Sequence, residues 1–407
     1  MKIIVIGAGI TGLSIAGMLN DSHEVIILEK ESEIGGIAKT KTTHGVTYHT
    51  VGGHCFNSKH TDVLSFAFEK LSIDEWHKIN RIAKINLGNY EVNYPIEFAI
   101  KEIYEHDKQL AFEITRDLLS SEDDGNYKNL ENWFLKKFGK TLSELYFIPY
   151  NSKIWNCEPK NMSHGWVQDK LPIPDKFSVF EGLIDNVKDN MPHSYFYYPN
   201  SNNQNTFISK LAEGLNIKCD IDIVKIEKNV NTWILNDQYT ADLIISTIPL
   251  NVLPKVIIGT PGEILDSAKK LKYNKVTNML WETQYTNKTW SYHPSKDTIF
   301  HRYIHIGSFF KPQKNYTITE SIGERTYDEM LEAGKRDPFL LKAIDYNMSD
   351  HAYVVYDDNR EAEVTKIQDY LSSIGIYSIG RFGQWDYFNM DICIKQSKEL
   401  YKKISSI

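Results

Sequence analysis

Residues 2–36 read KIIVIGAGITGLSIAGMLNDSHEVIILEKESEIGG, and this stretch decides the fold. An apolar strand runs straight into Gly7-Ala8-Gly9-Ile10-Thr11-Gly12; a helix follows, then a second apolar strand that ends at Glu29. This is a βαβ unit with a dinucleotide fingerprint at its first turn. Gly7 permits the tight turn, Gly9 lets backbone approach a pyrophosphate, and Gly12 lets the helix pack closely on the strand, while the helix N-terminus offers free N–H groups to phosphate charge. Glu29 stands where an acid accepts hydrogen bonds from ribose hydroxyls. A carboxylate there argues against NADP; spacing alone does not choose between FAD and NAD.

A chain of 407 residues exceeds the size at which a single core stops growing, so two or three lobes are expected. Hydrophobic residues make up 42% and charged residues 24%, as in ordinary globular proteins. The net charge of −7 and the absence of a long basic run argue against nucleic acid as a partner, so an anionic substrate needs local arginines or lysines. Cys55, Cys157, Cys219 and Cys393 are widely spaced with no CxxC, which suggests free thiols rather than a zinc site or disulfide framework. The chain opens on its first strand, so no signal peptide is expected, and no apolar run approaches the ~20 residues of a membrane span. The expected location is the cytoplasm, with homo-oligomerisation left open.

Glycine pairs at Gly35-Gly36 and Gly52-Gly53 lie in loops able to bring backbone close to an extended cofactor. A helix is expected over 61–75, and GNYEVNYPIE (88–97) reads as a hairpin edge halted by Pro95. Residues 97–149 are mostly helical in pattern, and 219–250 alternate with period two before a buried strand that returns to the nucleotide sheet. TWSYH, TIFHRYIHI, YTITES and HAYVVYD supply a second sheet, and the C-terminal helix is expected to pack on the first domain. The fold class is thus α/β, a Rossmann-like domain with an inserted helical lobe and a second, antiparallel-sheet domain. We assign 1–96, 205–265 and 375–407 to the nucleotide domain, 97–192 to a helical substrate lobe or lid, and 193–204 with 266–374 to the antiparallel-sheet domain. GxSxG, HExxH, P-loop and EF-hand patterns are all missing, so by elimination a bound cofactor carries the reaction.

Six blocks occur in order: VGGHCFNSKH (51–60), NRIAKINLGNYEVNYP (80–95), IPYNSKIWNCEP (148–159), HRYIHIGSFF (301–310), ITES (318–321) and GRFGQWDYFNMD (380–391). Together they resemble UDP-galactopyranose mutase and its close flavoprotein relatives, within the amine-oxidase and protoporphyrinogen-oxidase superfamily. The likeness spans nearly the whole chain; GGH, PYNxKxW and GRFGxWxY are its specific blocks. It implies FAD, reduced for activity, whose N5 attacks the anomeric carbon of a UDP-galactose-like substrate. The nucleoside diphosphate leaves, a flavin–sugar adduct forms, and ring opening and reclosure exchange pyranose for furanose, a step of surface polysaccharide synthesis.

By the same resemblance, His54 lies beside the flavin and Arg302 pairs the pyrophosphate of the nucleotide sugar, a role that suits a planar, permanently charged fork. Gly7, Gly9, Gly12, Glu29, Gly35, Gly36, Gly53, Val224, Arg381, Asn389 and Met390 fall on the cofactor. Arg81, Asn151, Trp155, Lys170, Tyr353 and Tyr387 fall on the substrate, Arg81 with a claim to the cofactor side as well. The chain departs from the bacterial pattern in three places: Lys170 is the only cation in a loop that carries arginine there, Asn389 replaces an acid, and Ser321 replaces a tyrosine. The competing expectation is an FAD-dependent oxidoreductase of the amine-oxidase type. A third is a flavin-binding protein without catalysis.

Overall fold

The computed structural model describes residues 1–167, 173, 175–184 and 194–406. Strand β1 (Lys2–Ile6) pairs in parallel with β2 (Glu24–Leu28), and helix α1 (Ile10–Leu19) crosses between them. The sheet has five parallel strands in the order Ile376–Ser378, Leu243–Ser246, β1, β2, Asn216–Lys218. The central strands are runs of Ile, Val and Leu because both their faces are covered. Helix α1 is apolar on nearly every side, which fits its place between the sheet and the C-terminal helix Met390–Ser405. The Ser397 hydroxyl of that last helix donates to Thr11 O.

A second sheet of seven strands runs Leu340–Val354, Tyr273–Thr283, Tyr316–Ile322, Arg302–Ile304, Trp290–Tyr292, Ala83–Asn86, Glu91–Asn93. All neighbours are antiparallel except Trp290–Tyr292 with Ala83–Asn86. Two differences from the expected domain limits follow. Residues 83–93 pair in this second sheet, so the nucleotide domain does not hold all of 1–96. Helix Arg360–Ile374 leads directly into the parallel strand Ile376–Ser378 and packs against it, because a parallel strand needs a crossover helix.

Helices Ile100–His106, Lys108–Ser120, Leu130–Phe138 and Ile148–Trp155 form the inserted lobe, with Lys176–Ile184 beside them. Trp133, Phe134, Phe138 and Phe147 stack into its own core. Helix Ile148–Trp155 of the lobe packs against strand Tyr316–Ile322 of the second sheet, next to the middle strand that carries Arg302. All four cysteines are unpaired, and among the described residues no helix is long and apolar enough to cross a membrane.

Candidate active site

The first half of the site is a glycine floor. Gly7 has φ +99°, and its N–H donates to Leu28 O at 2.8 Å. A Cβ on Gly12 would lie 1.9 Å from Gly7 O, so no larger residue fits between helix and turn, whereas Gly9 has nothing within 4 Å of where its Cβ would be. Gly9 caps α1 without any side-chain hydrogen bond, leaving the first-turn N–H groups for a ligand. Gly35 N–H donates to Ala8 O at 2.8 Å, and a Cβ on Gly36 would stand 3.3 Å from Gly9 Cα, so the second glycine pair extends the same floor. Glu29 is 6% exposed; its Oε2 accepts from Ala8 N–H at 2.7 Å and its Oε1 from Glu31 N–H at 2.9 Å. Each carboxylate oxygen keeps capacity for another donor such as a ribose hydroxyl. Val224 does not join this group: it is 67% exposed, and its N–H is already given to Asn236 Oδ1. The neighbouring Ile221 reaches Glu29 instead, donating its N–H to Glu29 O.

The second half is built on the antiparallel sheet. His54 and Arg302 converge over Gly52, whose absent Cβ would lie 3.6 Å from His54 Nε2 and 3.7 Å from Arg302 Nη2. Gly53 is held to glycine by Ile304 and Trp290, 2.9 Å and 3.4 Å from its would-be Cβ. Arg302 Nε donates to Glu320 Oε2 at 2.8 Å, Nη2 reaches both Glu320 and, at 2.6 Å, the Tyr353 hydroxyl, and Nη1 makes no hydrogen bond among the described residues. The second carboxylate oxygen of Glu320 accepts from Gly52 N–H at 3.0 Å, and His301 Nε2 lies 3.1 Å from Oε2. Burial pushes Glu320 up, but Arg302 and His301 outweigh it and hold the carboxyl well below its usual range. His54 is driven down to about 3, first by burial and then by the charges of Arg381 and Arg302. Its Nε2 is buried without a partner, an unsatisfied edge that suits a bound group.

Tyr353 and Tyr387 stack at 5.7 Å, and Trp155 stands edge-on to both. Arg381 lies 4.3 Å over the Tyr387 ring and donates to the carbonyls of Ala352 and Phe388. Arg81 donates to the Tyr292 hydroxyl at 2.7 Å between the faces of Tyr94 and Trp290, and its Nε is buried without a partner. Neither Arg81 nor Arg381 has a carboxylate within ion-pair distance among the described residues. Asn151 differs from expectation: it is 8% exposed, gives Nδ2 to Phe147 O and takes the Trp155 indole N–H on Oδ1, so it braces Trp155 inside the protein. Asn389 caps helix Met390–Ser405 with no side-chain bond, and Met390 Sδ accepts from Gln204 at 3.8 Å. Lys170 lies outside the described residues.

Glu320, His301, Tyr150, Trp290 and Tyr292 escaped the sequence reading. For Glu320 a signal existed, since it is the one charged side chain in the otherwise buried strand YTITESI. Tyr150 was hidden by its helix; its ring stands edge-on to Tyr292 at 5.6 Å and stacks on Tyr146.

Comparison with known proteins places these features in context. Residues 5–69 match a family model described as an NAD(P)-binding Rossmann-like domain. Over 179 residues the chain is 26% identical to a dTDP-fucopyranose mutase of Escherichia coli, covering 42% of this chain and 46% of that protein. Over 234 residues it is 24% identical to a UDP-galactopyranose mutase of Mycoplasma genitalium, covering 52% of each. The chain therefore spans about half the length of the curated relatives it matches. A crystal structure of reduced UDP-galactopyranose mutase superimposes with a TM-score of 0.87 over 100% of this chain and 95% of that one, at 22% identity. A putative protoporphyrinogen oxidase from Exiguobacterium superimposes with a TM-score of 0.75 over 99% and 98%, at 15% identity. The fold expected from the sequence is the fold observed.

Proposed function

We propose that this chain is a flavin-dependent mutase that interconverts the pyranose and furanose forms of a UDP-galactose-like nucleotide sugar. The observation that carries the reading is the charge distribution. In a chain of net charge −7, Arg81 is tied to Tyr292 opposite Arg302, Arg302 and Arg381 both act on His54, and Arg81 and Arg381 have no carboxylate partner among the described residues. Such a surplus of partly buried cations calls for an anionic occupant. A diphosphate with a flavin beside it fits, and the sequence likeness to sugar-nucleotide mutases gives the reading its substrate class.

The residues fit FAD. Gly7, Gly9, Gly12, Gly35 and Gly36 would receive its pyrophosphate at the open end of α1, and Glu29 its ribose. Gly53, His54, Arg381, Asn389 and Met390 would line the ring system, with the unpartnered His54 Nε2 available to it. When bound and reduced, the flavin would supply a nucleophile for the anomeric carbon. The protein's own part is positional and electrostatic. Arg302, fixed in direction by Glu320, would offer Nη1 to the diphosphate and draw off negative charge as the sugar–phosphate bond breaks. Tyr353, whose hydroxyl donates to Glu320 and accepts from Arg302, would hold that cation in place and Tyr387 would add a hydroxyl contact, while the wall of Trp155 and the stacked tyrosines would keep water from the reacting carbon. His54, held neutral, would contribute a hydrogen bond rather than a charge.

The test is incubation of dithionite-reduced protein with UDP- and dTDP-sugars, following pyranose–furanose exchange by chromatography beside an oxidised control. Exchange only in the reduced sample supports the mutase and names its sugar. No exchange with any sugar, despite bound FAD, rejects it in favour of an oxidoreductase.

A further inference from the structure

One residue of the PYNxKxW block has no part in the site described above. Lys153 projects from helix Ile148–Trp155, and its Nζ donates to three backbone carbonyls: Phe300 O at 2.6 Å, Ser295 O at 2.7 Å and His293 O at 3.0 Å. An ammonium has three N–H donors, and all three are used. The carbonyls belong to the turn between strands Trp290–Tyr292 and Arg302–Ile304. Those strands carry Tyr292, the partner of Arg81, and Arg302 itself, which stand opposite each other in register. The helix carries Tyr150 and the Asn151–Trp155 pair. Its other ties to the sheet include Tyr150 edge-on to Tyr292, Trp155 edge-on to Tyr353 and the Asn274 Nδ2 bond to Trp155 O. Lys153 is thus the polar bond between the aromatic wall of the lobe and the turn that leads into Arg302.

We propose that Lys153 is a positioning residue that sets the distance between the aromatic wall on helix Ile148–Trp155 and the diphosphate-facing Arg302, and so governs affinity for the nucleotide end of the substrate. The inference rests on the mutase reading for the identity of that ligand. Only a compact ammonium presents three donors from one point; a planar guanidinium cannot meet three converging carbonyls in the same way. A residue that merely stabilised the fold would lower the melting temperature and leave the ligand affinity of the folded protein unchanged.

The experiment compares FAD-loaded wild type, Lys153→Met and Lys153→Arg in UDP titration and in amide hydrogen exchange without ligand. Lys153→Met is expected to weaken UDP binding about tenfold or more, with flavin content and absorption spectrum unchanged, and to raise exchange in both 148–155 and 298–304. Should Lys153→Met fail to fold, Lys153→Arg is expected to fold, to weaken UDP binding severalfold and to raise exchange in the same two segments. Wild-type affinity in a folded variant overturns the inference while leaving the mutase reading intact. If wild type binds neither UDP nor dTDP the mutase reading falls, and the exchange data still decide the clamp: unchanged protection of both segments overturns it.

Discussion

At the scale of single residues, Arg302 is the cation whose geometry is best determined. Glu320, fully buried, takes its Nε and Nη2, leaving Nη1 for a ligand. Arg302→Ala should therefore cost about 2–4 kcal/mol, roughly 30- to 900-fold in kcat/KM, the range for truncating one partner of a buried charged contact. Wild-type turnover would remove Arg302 from the site. His54 gives an opposite kind of expectation. With its pKa driven down to about 3 by burial and by Arg381 and Arg302, the imidazole stays neutral across the working range. The pH profile of kcat/KM should then lack any inflection near the ordinary histidine value that disappears in His54→Gln; such an inflection would show the ring taking a proton during turnover. Arg302, His54 and Arg381 were singled out only through the family resemblance of the short ordered blocks that hold them, and the structure brings the three near one another. Glu320 carried a signal as the one charge in a buried strand, but its partner Arg302 is set by cross-strand register, and His301 gains its part only because that register puts Glu320 3.1 Å from its Nε2. Asn151 was legible as a motif residue but not in its direction, which a hydrogen bond to its own helix's Trp155 decides.

At the scale of elements, the β1–α1 turn separates two meanings of glycine. Gly12 is a packing requirement, since a methyl there would strike Gly7 O at 1.9 Å; Gly12→Ala should abolish soluble, folded protein. Gly9 has open space around the added carbon, so on the proposed reading its lack of a side chain serves the ligand rather than the packing. Gly9→Ala should melt within a few degrees of wild type yet lose most of its flavin, read as the ratio of visible to ultraviolet absorbance. Full flavin occupancy in Gly9→Ala would mean that the pyrophosphate does not approach that backbone. This turn could be read from sequence because each of its local signals agrees with the fold. The strand Tyr273–Thr283 could not, although it is paired on both sides in the second sheet. Thr277, Asn278 and Thr283 are buried there, and Asn278 Nδ2 is spent on Thr50 O, so polar residues on covered faces erase the period-two pattern.

At the scale of the whole molecule, the domain limits were only partly legible, because strands 83–93 join a sheet whose other members lie some 200 residues later in the chain. The seam this creates, where the helical lobe leaves the sheet, buries Glu97 to 2% exposure, and burial raises its pKa to about 8. The sign of its effect on stability follows from linkage. Its folded value lies above the ordinary 4.5, so its contribution is fully present below that value and is lost as pH rises through the folded one. Glu320 does the reverse, with stability present above its ordinary value and lost only in strong acid, since Arg302 and His301 hold it low. The protein's stability therefore has a carboxylate working against it on the alkaline side and another on the acid side. Glu97→Gln removes the first alone. Against wild type, this variant should gain on the order of 3 kcal/mol of unfolding free energy between about pH 5 and about pH 8, with little difference at the acid end. Denaturant titrations at both pH values measure it. Parallel pH dependences in the two proteins would mean that Glu97 ionises without penalty, and that the seam between lobe and sheet opens to water.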